Sequence, residues 1–168
     1  MNAVLRLGQI HAQPLIALLQ RYGLQLKWVE PETVIPGSYW GDEEAGLIGD
    51  QCLARADTPI HSILHESCHY ICMDGQRRAQ LHTDAGGSSL EENGECFLQI
   101  VLADYLPEMG RTRMLRDMDA WGYSFRLGSA QTWFEQDAQD AQEWLQQQGL
   151  IEINTKTAVI QPTFRLRP

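Results

Sequence analysis

The stretch Pro59–Met73 reads PIHSILHESCHYICM, and apolar residues surround its polar ones almost completely. This pattern predicts a helix that is buried on most sides. In a helix, residues four apart lie on one face, one turn above the other. His65 and His69 can therefore direct two imidazole rings at one metal ion, and Glu66 projects from nearly the same side. The stretch predicts a metal-binding helix with a carboxylate beside the metal.

Two histidines and a glutamate inside an apolar helix are costly unless another group satisfies them. This favours a metal site over a chance match or two core histidines. Neutral imidazoles suit a zinc ion (Zn2+), which takes three protein ligands and keeps one position open at a catalytic site. His65 and His69 are the expected ligands, and Glu66 is the expected general base for a water on the metal.

The third ligand must come from another part of the chain. The metzincin pattern, with glycine three residues after His69 and histidine three beyond it, fails because Cys72 and Gly75 stand there. A second helix is predicted from Ser88–Ser89 to Leu106, and three glutamates lie near its start. The candidates are Glu91, Glu92 and Glu95.

Glu92 and Glu95 share a helix side with Gln99, the lone polar residue of a buried stretch, so that side should face something polar. Glu91 lies further round the helix, where we expect exposure to solvent. The pattern Ser89-x-x-Glu92 is also typical of a capping box, which would give Glu92 a purely structural role. The residues alone leave the choice between Glu92 and Glu95 open.

From about Pro59 to Leu106, the motif helix, the polar connection and the second helix with a glutamate near its start resemble the minimal arrangement of gluzincins. The resemblance implies a zincin-type fold, zinc and hydrolysis of peptide bonds. It favours Glu92 as the third ligand, with Glu95 as the alternative. The chain departs from larger gluzincins because Cys96 stands four residues beyond Glu92, where they carry an acidic residue.

Residues 102–134 also resemble a small bacterial family of uncharacterised proteins that carry the same H-E-x-x-H motif. That resemblance implies no activity.

Other residues with possible chemistry flank the motif. His61 is one turn before His65, but a rise of about 1.5 Å per residue separates His61 too far from His69 for one ion to bind all three. We interpret His61 as a supporting residue. His82, in the loop between the two site helices, is a candidate contact for the transition state or substrate, or else an exposed loop histidine. Tyr123 and Arg126 are weaker candidates of the same kind.

Composition excludes some partners. The 168 residues are 43% hydrophobic and 21% charged, with a formal net charge of -9. An acidic surface disfavours nucleic acid and anionic membranes, which need clustered lysine and arginine. No apolar run approaches the roughly 20 residues of a membrane span. Residues 1–12 lack the pattern of a secretory signal, so we expect a cytoplasmic protein with free cysteine thiols. Those cysteines are Cys52, Cys68, Cys72 and Cys96.

We expect one α+β, zincin-like domain over residues 1–168, with a small, mostly antiparallel sheet from the first third packed on the motif helix. The predicted strands lie at Leu24–Val29, around Tyr39–Gly41 and Ala45–Asp50, and at Gln51–Ala56, with an extended tail at Leu150–Leu166. The other predicted helices are Gln13–Tyr22, Arg111–Trp121 and Ala130–Gln148. A substrate can pair with a free strand edge between Ala45 and Ala56.

The leading functional hypothesis is a zinc-dependent metallopeptidase with a peptide or protein substrate and Glu66 as general base. The alternative is a catalytically idle zinc-binding or protein-interaction module with a zincin fold. A third hypothesis is a structural domain without metal. The sequence carries no signal for the number of subunits.

Overall fold

The structure is a computed structural model, and it describes residues 3–38, 42–81 and 86–168. Within these ranges the chain forms an α+β fold in which the helices outweigh two small sheets. The helices are α1 (Gln13–Gln20), α2 (Ile60–Cys72), α3 (Gly75–Ala79), α4 (Ser89–Ala103), α5 (Gly110–Trp121), α6 (Ala130–Gln136) and α7 (Gln139–Gln147). The strands are β1 (Gln25–Trp28), β2 (Gly46–Ile48), β3 (Gln51–Ala54), β4 (Ile151–Ile153) and β5 (Ile160–Pro162).

The first sheet has the strand order β1-β3-β2 and is mixed, which corrects the expectation of a mostly antiparallel sheet. A tight turn at Gly49, whose φ is 57°, joins β2 to β3 and makes this pair antiparallel. The longer connection after β1 lets the chain cross over, so that β1 runs parallel to β3. The predicted strand around Tyr39–Gly41 lies outside the described residues.

The sheet packs on α2, as expected. Cys52 and Ala54 of β3 are fully buried, and the backbone N–H of Ala45 donates to Oγ of Ser62 on α2 at 2.9 Å. The outer edge of β2 is partly covered, because the N–H of Leu47 donates to the carbonyl of Gly37 at 3.1 Å. Leu47 therefore does not offer the free strand edge that we expected for a substrate.

The motif helix α2 begins at Ile60, within one residue of the predicted start at Pro59. Pro59 occupies the N-cap position and makes no side-chain cap. The N–H of Ile60 donates to the carbonyl of Leu5 at 2.9 Å, and before the helix the Thr58 hydroxyl accepts from the N–H of Arg55 at 2.9 Å. The start of α2 is thus held by the N-terminal segment of the chain.

Helix α4 packs directly against α2 and lies at the centre of the core. Its N-cap is Ser88, whose hydroxyl accepts from the N–H of Glu91 at 3.1 Å, so the Ser89–Glu92 capping box does not form. Glu92 is therefore free for another role. The helix ends at Ala103, earlier than the predicted Leu106.

The C-terminal third covers the other side of α4. The single helix predicted at Ala130–Gln148 is two helices, because Asp137 leaves the helical conformation with a φ of -133° and its carboxylate binds Arg126. Helix α7 packs against α4 at Gly94, where an added Cβ would lie 2.7 Å from the Trp144 ring. The tail then forms the antiparallel pair β4–β5. None of the helices in the described ranges has the length and apolar character needed to cross a bilayer.

Candidate metal centre

Four side chains from α2 and α4 meet where the two helices face each other. His65 and His69 come from α2, and Glu92 and Glu95 come from α4. Each offers one ligand atom, and these atoms all lie within 4.8 Å of one another. The spacing of four residues on α2 and three on α4 brings both pairs to the facing sides of the helices. A group of this composition can hold a metal ion.

Glu92 faces the Nε2 atoms of both histidines. Its Oε1 lies 3.2 Å from Nε2 of His65, and its Oε2 lies 4.0 Å from Nε2 of His69. The Glu92 side chain is 50% exposed, whereas those of His65 and His69 are 16% and 12% exposed. The Nε2 side of the cluster is therefore the side that opens toward solvent.

The Nδ1 atoms of the same histidines face inward. Nδ1 of His65 lies 2.8 Å from Oε1 of Gln99, whose Nε2 donates to the carbonyl of His61 at 3.2 Å. Because a carboxamide oxygen only accepts, Nδ1 of His65 carries a proton, and in the neutral ring the lone pair is then on Nε2. Nδ1 of His69 lies 2.7 Å from Oε2 of Glu95, without the angle of a hydrogen bond. Carboxylate and amide partners of this kind orient histidine ligands at metal sites.

The inner part of the cluster contains buried polar atoms that lack hydrogen bonds. Glu95 is fully buried, and neither of its carboxylate oxygens has a hydrogen-bond partner among the described residues. The same holds for Nδ1 of His69. A buried carboxylate whose close contact with His69 lacks hydrogen-bond geometry is costly, and a cation bound by the neighbouring histidines compensates for it. The side chains present therefore fit a divalent metal ion.

The pKa values of the carboxyl groups reflect these surroundings. When the His65 ring is protonated on both nitrogens, its hydrogen bond holds the pKa of Glu92 down at about 2, against the opposing effect of burial. Burial raises the pKa of Glu95 to about 7. Burial lowers the pKa of His69, but the adjacent Glu95 outweighs burial and raises it above its ordinary value. Glu95 and His69 thus hold more protons at neutral pH than they would in water.

Glu66 lies beside the cluster in a cleft of about 230 Å³, which His65 also lines. Burial raises the pKa of the Glu66 carboxyl above its usual range. A carboxyl group with a raised pKa is suited to accept and return protons near neutral pH. Tyr123, predicted as a possible contact, also lines this cleft, whereas Arg126 is an exposed partner of Asp137.

The other candidates lie outside the cluster. Glu91, expected to be exposed, is buried and accepts from Arg77 at 2.8 Å and from Arg167 at 2.9 Å, so it is not available to a metal. His61 is placed against Tyr123, with Nδ1 at 3.1 Å from the phenol oxygen, and is not part of the cluster. His82 lies outside the described residues. The four cysteines are free and buried.

Two residues of the cleft were not predicted. Glu44, in the turn before β2, accepts at 3.1 Å from Nε1 of Trp121, the last residue of α5. Both side chains line the cleft with Glu66. Neither position follows a periodic pattern in the sequence. The packing of α5 beside α2 brings Trp121 to the motif, and the hydrogen bond of Ala45 to Ser62 brings the turn that carries Glu44.

Comparison of the chain with family models, curated proteins and solved structures gives no match. The arguments for a function therefore come from the geometry of the site.

Proposed function

We propose that the protein is a zinc-dependent metallopeptidase, with His65, His69 and Glu92 as the metal ligands and Glu66 as the general base. The observation that carries this proposal is that the two ring nitrogens of each histidine face different residues. Nε2 of His65 and of His69 face Glu92 at 3.2 and 4.0 Å, while their Nδ1 atoms face Gln99 and Glu95. Two nitrogens and a carboxylate on an open side match the three-ligand set of catalytic zinc sites.

In this proposal Glu95 orients His69 and does not bind the metal. The side chain is fully buried behind the Nδ1 atom, away from the exposed side on which Glu92 lies. Gln99 performs the same task for His65. This arrangement supports Glu92 over Glu95 as the third ligand, because the outer glutamate can reach an ion held at Nε2 and the inner one contacts Nδ1.

When bound, zinc lowers the pKa of a water molecule to about 7 and polarises the carbonyl of the scissile amide. Glu66 takes up the proton of the attacking water and delivers it to the leaving nitrogen. Partial burial suits Glu66 to this exchange, because the raised pKa of its carboxyl reduces the free-energy difference between its two protonation states near neutral pH. The substrate class follows from this chemistry, and we propose a peptide or protein.

Metal content and a single substitution test the proposal together. Purified protein is expected to contain one equivalent of zinc by elemental analysis. Glu66→Gln should keep the zinc and lose peptide hydrolysis by roughly 10²- to 10⁴-fold, because the amide cannot accept the proton. Hydrolysis is measured as new amino termini in a mixed peptide pool.

The outcomes separate the three hypotheses. Absence of stoichiometric zinc in a folded protein rejects both the peptidase and the zinc-binding module. Zinc in both proteins, with no cleavage by either, rejects the peptidase and favours the catalytically idle module. Equal cleavage by wild type and Glu66→Gln removes Glu66 from its role.

A further inference from the structure

The cleft beside the metal centre has a composition that selects for one kind of chemical group. Of the lining residues that the structure describes, four come from α2 and three come from other segments of the chain. These residues are His61, Ser62, His65 and Glu66 of α2, together with Glu44, Trp121 and Tyr123. A volume of about 230 Å³ admits a single side chain or chain terminus of a substrate. Among the described residues, no lysine or arginine lines the cleft.

The polar atoms of the cleft include several that can accept a hydrogen bond. Oε1 of Glu44 accepts from Trp121 at 3.1 Å, and the other carboxylate oxygen makes no hydrogen bond to a described residue. Oγ of Ser62 accepts one bond from Ala45 at 2.9 Å and has a second lone pair. Nε2 of His61 has no hydrogen-bond partner among the described residues, and the residue is 1% exposed. This nitrogen accepts a bond in the tautomer whose Nδ1 carries the proton facing Tyr123. These three groups suit a ligand that consists of N–H donors.

Arg6, a cation that contacts the Trp121 ring, is already engaged outside the cleft. Arg6 stacks on the Trp121 ring at 5.7 Å and binds Oε2 of Glu43 at 2.8 Å and the carbonyl of Asp57 at 2.6 Å. Arg6 therefore does not place a positive charge beside Glu44 inside the cleft. An anionic group of a substrate would meet Glu44 and Glu66 together, and an apolar group would leave the acceptors buried and unpaired, which is unfavourable.

We propose that this cleft binds a cationic group of the substrate, an ammonium or a guanidinium, next to the scissile bond, with Glu44 as its principal acceptor and Trp121 packing on its methylene stem. An ammonium has three donors and no acceptor, which matches Glu44, Ser62 and His61. The cation comes from a lysine or arginine side chain or from a free amino terminus. The proposal rests on the peptidase function and names its substrate preference.

Matched peptides test the preference in the zinc-loaded protein. One pair carries lysine or the uncharged norleucine, and a second pair has a free or an acetylated amino terminus. Wild type should cleave one cationic member roughly ten- to a hundredfold faster in kcat/KM, since hydrogen bonds to charged groups are the strong ones. Glu44→Gln keeps an acceptor for Trp121 but removes the charge, and should bring that ratio close to one. If the ratio differs from one for the lysine and norleucine pair, the cleft binds a basic side chain. If it differs from one for the free and acetylated pair, the cleft binds an amino terminus.

Glu152→Gln, which removes an equal charge from an exposed position on β4, is the control and should keep the wild-type ratio. A ratio near one in wild type, or one that Glu44→Gln leaves unchanged, overturns the cation site.

A binding measurement tests the cation site if no peptide is cleaved. Lysine amide and norleucine amide are titrated against wild type and Glu44→Gln by calorimetry. Preference for lysine amide that Glu44→Gln abolishes supports the cation site even where the peptidase proposal fails, and equal or absent binding rejects it.

Discussion

At the scale of single residues, the two ring nitrogens of His65 and of His69 face different partners. Nδ1 of His65 donates to Gln99, which in the neutral ring leaves the Nε2 lone pair for a ligand. In His69, Nδ1 faces Glu95 and Nε2 faces Glu92. Removal of the partner at Nε2 and removal of the partner at Nδ1 should therefore have different consequences for metal binding.

Glu92→Ala and Glu95→Gln are expected to separate these two roles. Loss of an orienting partner lowers metal affinity by roughly 10- to 100-fold, so Glu95→Gln should fall in that range. Glu92→Ala removes the proposed third ligand and should lower the affinity further. Competition with a chromophoric chelator measures both dissociation constants for zinc. Glu143→Ala, at an exposed position of α7, is the control and should bind zinc as wild type does. A larger loss in Glu95→Gln than in Glu92→Ala would exchange the two assignments.

The metal-free protein should become less stable as pH rises, because Glu95 and His69 lose protons that the folded state binds. The folded-state pKa of Glu95 is raised to about 7, and that of His69 is also raised, so the folded state binds more protons than the unfolded state. Stability from such groups is present at low pH and is lost as pH rises through the folded pKa. His61 acts oppositely, because burial lowers its pKa to about 3, but its contribution ends above about pH 6.5.

Urea denaturation of chelator-treated protein at about pH 6.5 and about pH 8 measures this dependence. The free energy of unfolding should fall between them by on the order of 1 kcal/mol for each extra proton released. Zinc affinity should rise over the same interval, because the metal binds deprotonated ligands. An unfolding free energy that is unchanged or higher at pH 8 contradicts the proton linkage.

At the scale of elements, the site requires two helices whose facing sides are polar. Positions 92, 95 and 99 of α4 lie on one side, as their spacing predicts, and His65 and His69 lie opposite them on α2. The spacing therefore placed these side chains correctly. It did not reveal the buried Glu91, because the partners of that carboxylate, Arg77 and Arg167, come from distant parts of the chain.

The C-terminal arm should stabilise the paired helices through Arg167. Its guanidinium binds Glu91 at 2.9 Å and the carbonyl of Cys72, at the end of α2, at 3.2 Å. Arg167→Ala should cost about 2 kcal/mol in urea denaturation, since it removes one of two cations from a buried carboxylate and the remaining exposure of Arg167 reduces the effect. Arg165→Ala, at an exposed neighbouring position, is the matched control and should change stability by less than about 0.5 kcal/mol. Equal effects of the two substitutions contradict the anchoring role of Arg167.

At the scale of the whole molecule, an ion held by α2 and α4 would join the two central helices of the core. A ligand that binds only the folded state adds about 2.7 kcal/mol to stability at a concentration one hundred times its dissociation constant. A strong chelator should therefore lower the melting temperature by several degrees, and added zinc should restore it. Differential scanning fluorimetry measures the shift, and Glu66→Gln should behave like wild type. An unmoved melting temperature favours the structural domain without metal.

The sequence by itself determined the motif helix, the second helix with its glutamates and the side of α4 that faces the site. These follow from local periodicity and from short-range capping, which act within one element. Only the tertiary structure decided which glutamate faces Nε2 of the histidines, that Glu91 is buried, and that Glu44 and Trp121 share a cleft with Glu66. The physical reason is that these relations depend on the packing of segments distant in the chain, and side-chain periodicity carries no information about the partner of a helix face.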